Sequence, residues 1–142
     1  MPQISITKLF EENREKLGLT WKSGTEGGDK ELIHETVSQT NQGLIGHLNF
    51  IHPNWIQVLS KDEADHLNQL DPKSLKDNIQ RLAESGMSCI IAAGSVPIPE
   101  SLSALAISTH TPILCSERSS LEIMWRLRPY LWRVLAPTNS MH

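Results

Sequence analysis

The sequence predicts a small α/β domain in which a mixed or largely parallel sheet is flanked by helices. Two apolar segments, residues 88–94 and 111–116, have the character of strands buried on both faces and enclose a helical segment. Such a strand–helix–strand unit has parallel strands and a right-handed crossover. Apolar residues also recur at helical spacing between capping residues elsewhere in the chain. The 142 residues are enough for one domain with its own core.

The first half of the chain alternates between helical and extended patterns. Apolar spacing predicts a helix over residues 6–17 that stops at Gly18. Three short segments have the composition of strands: residues 19–22, 32–37 and 55–60. Glycines make residues 23–31 a turn-rich link, because they permit backbone angles that other residues avoid. Residues 38–54 show little periodicity and are predicted to be a long loop with room for a helical turn.

Helix start and stop signals are clearest in the second half. Ser60 followed by Glu63 is a capping box that predicts a helix over residues 62–70. Asp71-Pro72 opens another helix, which runs to Gly86. Pro99-Glu100 opens a third, within the strand–helix–strand unit. The last predicted helix covers residues 119–135 and contains Pro129, which should kink or split it.

Composition and charge argue for an ordinary cytoplasmic domain. The formal net charge of -3 gives no electrostatic reason to expect nucleic acid or an anionic membrane as a partner. No apolar run is long enough to span a membrane, and the N-terminal stretch does not have the pattern of a secretory signal. Cys89 and Cys115 lie among apolar residues and are expected to be reduced thiols that pack as small hydrophobic side chains.

Motifs that would indicate a self-contained active site are missing from the sequence. Neither G-x-x-x-x-G-K-[ST] nor G-x-G-x-x-G occurs, and no G-x-S-x-G marks a nucleophilic serine. The nearest candidate for phosphate binding is "AAGSVPIPES", where a parallel strand ends before a helix. It is either a ligand site or an ordinary strand-to-helix loop. The acidic residues Asp62, Glu63 and Asp65 are explained by the electrostatics of a helix N-terminus.

Neither the histidines nor the tryptophans form a recognisable site in the sequence. The six histidines are His34, His47, His52, His66, His110 and His142. None has the spacing of a metal site, so no metal ligand is predicted. His47 and His52 share the predicted loop, where they could touch a ligand or brace the loop. Trp125 and Trp132 are seven residues apart on one helix face and should fill a core or an interface.

A resemblance to a known family adds to these inferences. The stretch "LIGHLNFIHPNWIQVLSKDEADHLNQLD" is similar to the N-terminal domain of bacterial HPr kinase/phosphorylase. The segments "GGDKELIHETVSQT", "CIIAAGSVPIPESL" and "TPILCS" agree with it in order. So do the opening helix "SITKLFEE" and the final helix "SSLEIMWRLRPYLWRVLAP". The similarity covers the whole chain.

The resemblance implies a domain boundary and one site residue. Residues 1–137 would be the N-terminal domain, similar in fold to the UDP-binding N-terminal domains of Mur ligases. Residues 138–142, which include "TNSMH", would be the junction to a catalytic domain absent from this chain. His142 matches the junction histidine that the family counts among its active-site residues. The chain itself would hold no cofactor, while the parent enzyme would use ATP and magnesium.

The implied function belongs to the parent enzyme. It would phosphorylate a serine of the phosphocarrier HPr, remove that phosphate by phosphorolysis, and so regulate carbon metabolism and the sugar phosphotransferase system. HPr would be its partner, and the subunits would form a hexamer. The alternative is a standalone module with a Mur-like UDP-binding fold. It would sense a ligand through residues 41–50 or the "AAGSVPIPES" loop, or mediate oligomerisation with Trp125 and Trp132 as anchors.

Overall fold

The computed structural model describes residues 3–23, 25–33 and 42–136 of the chain. The α-helices in these residues are α1 (Ile6–Leu17), α2 (Lys61–Gln69), α3 (Pro72–Ser85), α4 (Glu100–Thr109) and α5 (Ser120–Leu135). The strands are β1 (Gln3–Ser5), β2 (Thr20–Ser23), β3 (Glu31–Ile33), β4 (Gly43–His47), β5 (Asn54–Leu59), β6 (Cys89–Ala92) and β7 (Ile113–Cys115). A 3₁₀ helix covers Thr25–Asp29.

Five of these strands form one mixed sheet in the order β2-β7-β6-β5-β4. The four strands from β4 to β7 are parallel, and β2 joins β7 antiparallel at one edge. The central strand is β6, where Ile90 lies opposite Gln57 of β5 and Ile113 of β7. Strands β1 and β3 form a separate antiparallel pair. The predicted α/β class, the mixed sheet and the parallel strand–helix–strand unit are confirmed.

Helices cover both faces of the sheet, which is why β6 is buried on both sides. Cys89 and Ile91 belong to the apolar cluster that contains residues of α1 and α5. Ile90 and Ala92, the alternate residues of the same strand, belong to the cluster that contains residues of α2, α3 and α4. Each fully buried leucine or isoleucine contributes about 1.5–3 kcal/mol relative to an exposed one. A continuous apolar run in the sequence is therefore what this position requires.

The predicted helix termini agree with the structure because their capping side chains are satisfied locally. At the start of α2, the Ser60 amide donates to Glu63 Oε1 at 2.8 Å, which is half of the predicted capping box. At the start of α3, the Asp71 carboxylate accepts from the Ser74 amide at 2.8 Å. Gly86 closes α3 with a φ of 75°, in the left-handed region that glycine adopts without strain.

The prediction of a loop over residues 38–54 is wrong for part of its length, because Gly43–His47 forms the edge strand β4. Two glycines in five residues reduce the strand signal. The connection from β4 to β5 is also short, since only residues 48–53 join two parallel neighbours. Parallel neighbours are usually joined by a dozen or more residues. Of the predicted strand over 32–37, residues 34–37 lie outside the described part of the chain.

The 3₁₀ helix uses its glycines for close packing. An added Cβ at Gly27 would overlap the carbonyl oxygen of His110, and one at Gly28 would overlap Thr7 Oγ1. Neither glycine has a positive φ. These two glycines are therefore required because a side chain would have no space, and the prediction that they serve backbone freedom is wrong for both.

Helix α5 runs from Ser120 to Leu135 without being split at Pro129. Proline has no amide hydrogen, so the carbonyl of Trp125 loses its helical donor. Both residues are on the exposed side of the helix, where water can serve that carbonyl. Of the two predicted effects of Pro129, the split is therefore wrong, and the kink stays a prediction.

Candidate functional site

The carboxyl ends of the parallel strands carry a cavity of ≈ 520 Å³. Ligands of α/β proteins bind most often at this edge of the sheet. The lining residues follow β5, β6 and β7 or belong to the helices after β5 and β7: Ser60, Lys61, Ala64, Asp65, Asn68, Ala93, Gly94, Ser95, Val96, Pro97, Ser119 and Ser120. The "AAGSVPIPES" segment therefore lies where the sequence placed it, at the centre of this edge.

The backbone of that segment is already hydrogen-bonded within the protein. The Gly94 amide donates to the Arg118 carbonyl at 2.7 Å, and the Ser95 amide donates to the Ser116 carbonyl at 3.1 Å. The Val96 amide donates to the Ala93 carbonyl at 3.2 Å. Phosphate-binding loops present free amides to their ligand. These three amides are not free, so they do not form a phosphate cradle, and residues 94–96 have the hydrogen bonding of an ordinary strand-to-helix loop.

Two helix N-termini at the cavity are capped by their own side chains. Glu63 Oε1 accepts from both the amide and the hydroxyl of Ser60, at 2.8 and 2.6 Å. Ser119 Oγ accepts from the Glu122 amide at 3.2 Å. Lys61 is paired with Asp65 at 2.6 Å on the exposed surface of α2. These contacts agree with the structural explanation of the acidic cluster, in which carboxylates favour a helix N-terminus.

Within the described residues, His47, His52 and His66 make separate local contacts. His47, at the end of β4, shares a hydrogen bond of 2.9 Å between its Nε2 and Ser120 Oγ, which joins the edge strand to α5. The His52 amide donates to Asn49 Oδ1 within the connection from β4 to β5. His66 lies beside Phe50, with ring centroids 6.5 Å apart. Thus His47 has the bracing role that was one of its two predicted alternatives.

The remaining three histidines are His34, His110 and His142. His110 closes α4 in the left-handed conformation, with a φ of 54°. His34 and His142 lie outside the described residues. Within residues 3–23, 25–33 and 42–136, no group of three or more His, Cys, Asp or Glu side chains could hold a metal ion. In the same ranges, no helix is long and apolar enough to cross a membrane.

A polar network that the sequence analysis missed supports the connection from β4 to β5. Asn54 Nδ2 donates to the His47 carbonyl at 3.0 Å and to Gln57 Oε1 at 3.3 Å. An added Cβ at either Gly43 or Gly46 would meet the amide group of Asn54. Gln57 itself is fully buried and faces Asn49. The available signal was a single glutamine inside the apolar strand "WIQVL", preceded by two glycines three residues apart.

Both cysteines are free thiols of low reactivity. Burial raises the pKa of Cys89 to about 12, and burial also raises the pKa of Cys115. Because the thiolate is the reactive form, neither residue has the character of a nucleophile at neutral pH. The prediction that they are packed, unpaired thiols is confirmed.

The two tryptophans of α5 do not fill the core. Trp125 is 82% exposed and Trp132 is 67% exposed. The core face of α5 is formed instead by Ile123, Leu127 and Leu131, which are completely buried. Of the two predicted alternatives for the tryptophans, a place in the core is therefore excluded.

Comparison with known proteins identifies relatives across the whole chain. The family described as "HPr Serine kinase N terminus" matches residues 4–131. An HPr kinase/phosphorylase of Nitrosomonas europaea is 46% identical over 142 residues, which are 100% of this chain and 44% of the relative. Proteins of the same name from Chromobacterium violaceum and Neisseria meningitidis are 39% and 37% identical over the same shares of each chain.

The chain spans less than half the length of these relatives. The matched region nevertheless contains the other four helices, the whole five-stranded sheet and most of β1 and α5, because it begins one residue into β1 and ends four residues before the end of α5. Agreement of this extent cannot come from one shared motif. The chain therefore belongs to the HPr Serine kinase N terminus family.

Proposed function

We propose that this chain is the N-terminal accessory domain of a bifunctional enzyme that phosphorylates a serine of the phosphocarrier HPr and removes the phosphate by phosphorolysis. The observation that carries the proposal is similarity, over the full length of this chain, to proteins named HPr kinase/phosphorylase. The chain covers only 44% of the length of those proteins. The parent enzyme acts in the cytoplasm as a hexamer, and its activity regulates carbon metabolism and the sugar phosphotransferase system.

Catalysis belongs to the part of the parent that this chain does not contain. Phosphoryl transfer relies on groups that hold the phosphates and on a metal ion that neutralises developing charge. The 142 residues contain no G-x-x-x-x-G-K-[ST] sequence. The amides of Gly94, Ser95 and Val96, at the edge of the sheet where ligands usually bind, are already used. These observations support an accessory role in which ATP and magnesium bind elsewhere in the parent.

We assign the domain boundary to residue 137 and a site role to His142. Residues 138–142 form the junction, and His142 joins the active site of the catalytic domain that follows. Histidine suits this position because its imidazole can exchange a proton near neutral pH. In the isolated chain the same residue has no catalytic role, because the phosphate-binding groups are absent.

The proposal is tested by comparing the isolated chain with the full-length parent. Each is incubated with HPr, ATP and magnesium, and phosphoserine is measured by mass spectrometry. The parent should phosphorylate HPr, and the isolated chain should not. Phosphoserine formed by the isolated chain would refute the accessory role, and an inactive parent would refute the assignment of the kinase.

The role of His142 has its own test in the parent. His142→Ala should lower kcat, whereas Ser140→Ala, two residues away in the same junction, should leave kcat close to that of the parent. Thermal unfolding of both variants checks that the N-terminal domain is intact. Equal kcat values for the His142→Ala variant and the parent would remove His142 from the active site.

A further inference from the structure

A cavity of ≈ 540 Å³ lies between α1 and α5. Small-molecule sites in proteins have volumes of about 300–1,000 Å³, so the cavity has the size of a ligand site. We refer to it as the α1–α5 groove. The side chains that line it include Asn13, Lys16, Trp125, Arg126, Tyr130 and Arg133. The function proposed above uses none of these residues.

Two buried residues line the α1–α5 groove and hold the helices together there. Asn13 is 5% exposed and Tyr130 is 7% exposed. Asn13 Nδ2 donates to the Leu9 carbonyl at 2.8 Å within α1. The Tyr130 hydroxyl of α5 donates to the carboxylate of Glu12 on α1. Packed side chains therefore form part of the groove, which agrees with the largely pre-formed character of ligand sites.

The α1–α5 groove is positively charged, although the whole chain has a formal net charge of -3. Lys16, Arg126 and Arg133 line it together with one carboxylate, that of Glu122. Glu122 is paired with both Arg118 and Arg126 at 3.2 Å, so its charge is compensated within α5. Among the described residues, neither Lys16 nor Arg133 forms an ion pair with a carboxylate. Two cations of the groove can therefore bind an anion.

An exposed indole lines the groove together with these cations. Trp125 is 82% exposed, so its ring is accessible to a ligand. The guanidinium of Arg133 lies over the Tyr130 ring, 5.4 Å from its centroid, and this contact positions its N–H donors at the groove. Aromatic side chains stack on nucleic-acid bases, and cationic side chains bind phosphates. The groove combines both kinds of group.

We propose that the α1–α5 groove binds a purine nucleoside diphosphate. The base stacks on the indole of Trp125, and the phosphates bind to Lys16 and Arg133. A two-ring base matches the area of a two-ring indole, and a diphosphate supplies the negative charge that these two cations lack within the domain. The site is separate from the one at which the parent enzyme would bind ATP, because that one depends on the part of the parent that this chain does not contain.

Binding should be weak and should depend on salt. Lys16, Trp125 and Arg133 are all exposed, so water and dissolved ions compete for the charges of the groove. We therefore expect a dissociation constant on the order of 100 μM at low ionic strength, because exposed charge pairs contribute little. The affinity should fall as salt is added.

Titration calorimetry of the 142-residue chain with ADP and with GDP, without added metal ions, tests the site. Both nucleotides should bind. Adenosine lacks the phosphates and inorganic pyrophosphate lacks the base, so each should bind at least about tenfold more weakly than ADP. Failure of both nucleotides to bind would overturn the proposal. Adenosine or pyrophosphate that binds as tightly as ADP would also overturn it, because the proposal requires both contacts.

Matched substitutions test whether the nucleotide binds in the groove. Trp125→Ala should weaken ADP binding about tenfold, whereas Trp132→Ala removes an exposed indole of the same helix that is not among the lining residues and should leave binding unchanged. Lys16→Ala should also weaken binding about tenfold, and Lys8→Ala, an exposed position on the same helix, is its control. Far-UV circular dichroism checks that each variant is folded. Equal affinities of the unsubstituted chain and Trp125→Ala for ADP would contradict the stacking.

A nitrogen–proton correlation NMR spectrum locates the ligand independently of its affinity. The chain has four tryptophans, whose indole N–H signals are assigned with single Trp→Ala variants. ADP should shift the signal of Trp125 and leave that of Trp132 in place. Shifts that spare Trp125 would place the nucleotide elsewhere and overturn the proposal. The site does not depend on the enzymatic function proposed above, so a chain that binds no nucleotide would leave that function as it stands.

Discussion

Tyr130 links α5 to α1 through one hydrogen bond, and this contact predicts how stability changes at high pH. The side chain is only 7% exposed, and its hydroxyl donates to Glu12 Oε1. Burial, followed by the hydrogen bond to Glu12 and the charge of that carboxylate, raises the pKa of Tyr130 well above its usual value of about 10. All of these causes favour the neutral phenol.

The sign of the pH dependence follows from linkage. Below pH 10 the phenol is protonated in both the folded and the unfolded chain, so its contribution to stability is fully present. Above pH 10 the unfolded chain loses this proton and the folded chain keeps it. The free energy of unfolding then falls, by at most about 1.4 kcal/mol per pH unit, until the folded pKa is reached. The loss is therefore confined to alkaline pH.

Two variants separate the hydrogen bond from the charge. Tyr130→Phe removes the hydroxyl and should cost about 1.5 kcal/mol at pH 7, the lower end of the range for a charged acceptor, because Glu12 is exposed and remains hydrated. It should also remove this residue's share of the alkaline loss. Glu12→Gln keeps an acceptor but removes the charge, so the pKa of Tyr130 should move back towards about 10.

The assay is direct because Tyr130 is the only tyrosine in the chain. Absorbance of tyrosinate near 295 nm, followed from pH 8 to 12.5, reports this one hydroxyl. Urea titrations at pH 8 and 11 give the free energy of unfolding. Cys89 also titrates at alkaline pH, so the difference between the parent chain and Tyr130→Phe is the quantity compared. A tyrosinate midpoint near 10 in the folded protein would refute the reasoning.

Three further predictions concern packing and reactivity. Gly27→Ala should destabilise the chain by more than about 2 kcal/mol in urea unfolding, because its Cβ would overlap the His110 carbonyl; a cost below 1 kcal/mol would contradict this packing. Gly46→Ala should be costly in the parent chain but nearly neutral with Asn54→Ala, and a double-mutant cycle that shows additivity would count against the contact. Ellman's reagent should label Cys115 before Cys89, which should react only at the rate of unfolding; equal rates would exclude complete burial of Cys89.

Much of the fold could be predicted from local patterns in the sequence. Residues 88–94 are an apolar run without helical period, and the segment after them starts at a proline and ends at a turn. The helix starts at Ser60 and Asp71 depend on side chains that cap the backbone within three residues. These features need no tertiary information. For this reason the strand–helix–strand unit and the helix boundaries could be predicted.

Strand β4 could not be predicted because its two glycines are explained by a contact with the neighbouring strand β5. Gly43 and Gly46 are poor strand formers, yet each makes room for the Asn54 side chain. That side chain then satisfies the buried glutamine of β5. Strand propensity considers each glycine without its neighbours in space, and it therefore indicates a loop. The competing requirement, a satisfied polar group inside the sheet, becomes visible only when β4 and β5 are side by side.

The prediction of the candidate site was also limited by contacts that a local sequence pattern does not show. The sequence located "AAGSVPIPES" at the edge of the sheet where ligands bind, but a phosphate site depends on whether its amides are free. Gly94 and Ser95 donate to carbonyls of residues 118 and 116, more than twenty residues later in the chain. A local motif cannot report such partners. The exposure of Trp125 could not be predicted for the same reason. Helix α5 has apolar residues on more than one side, and packing against the sheet determines which of them are buried. Both features are properties of the packed domain, and no local pattern in the sequence determines either of them.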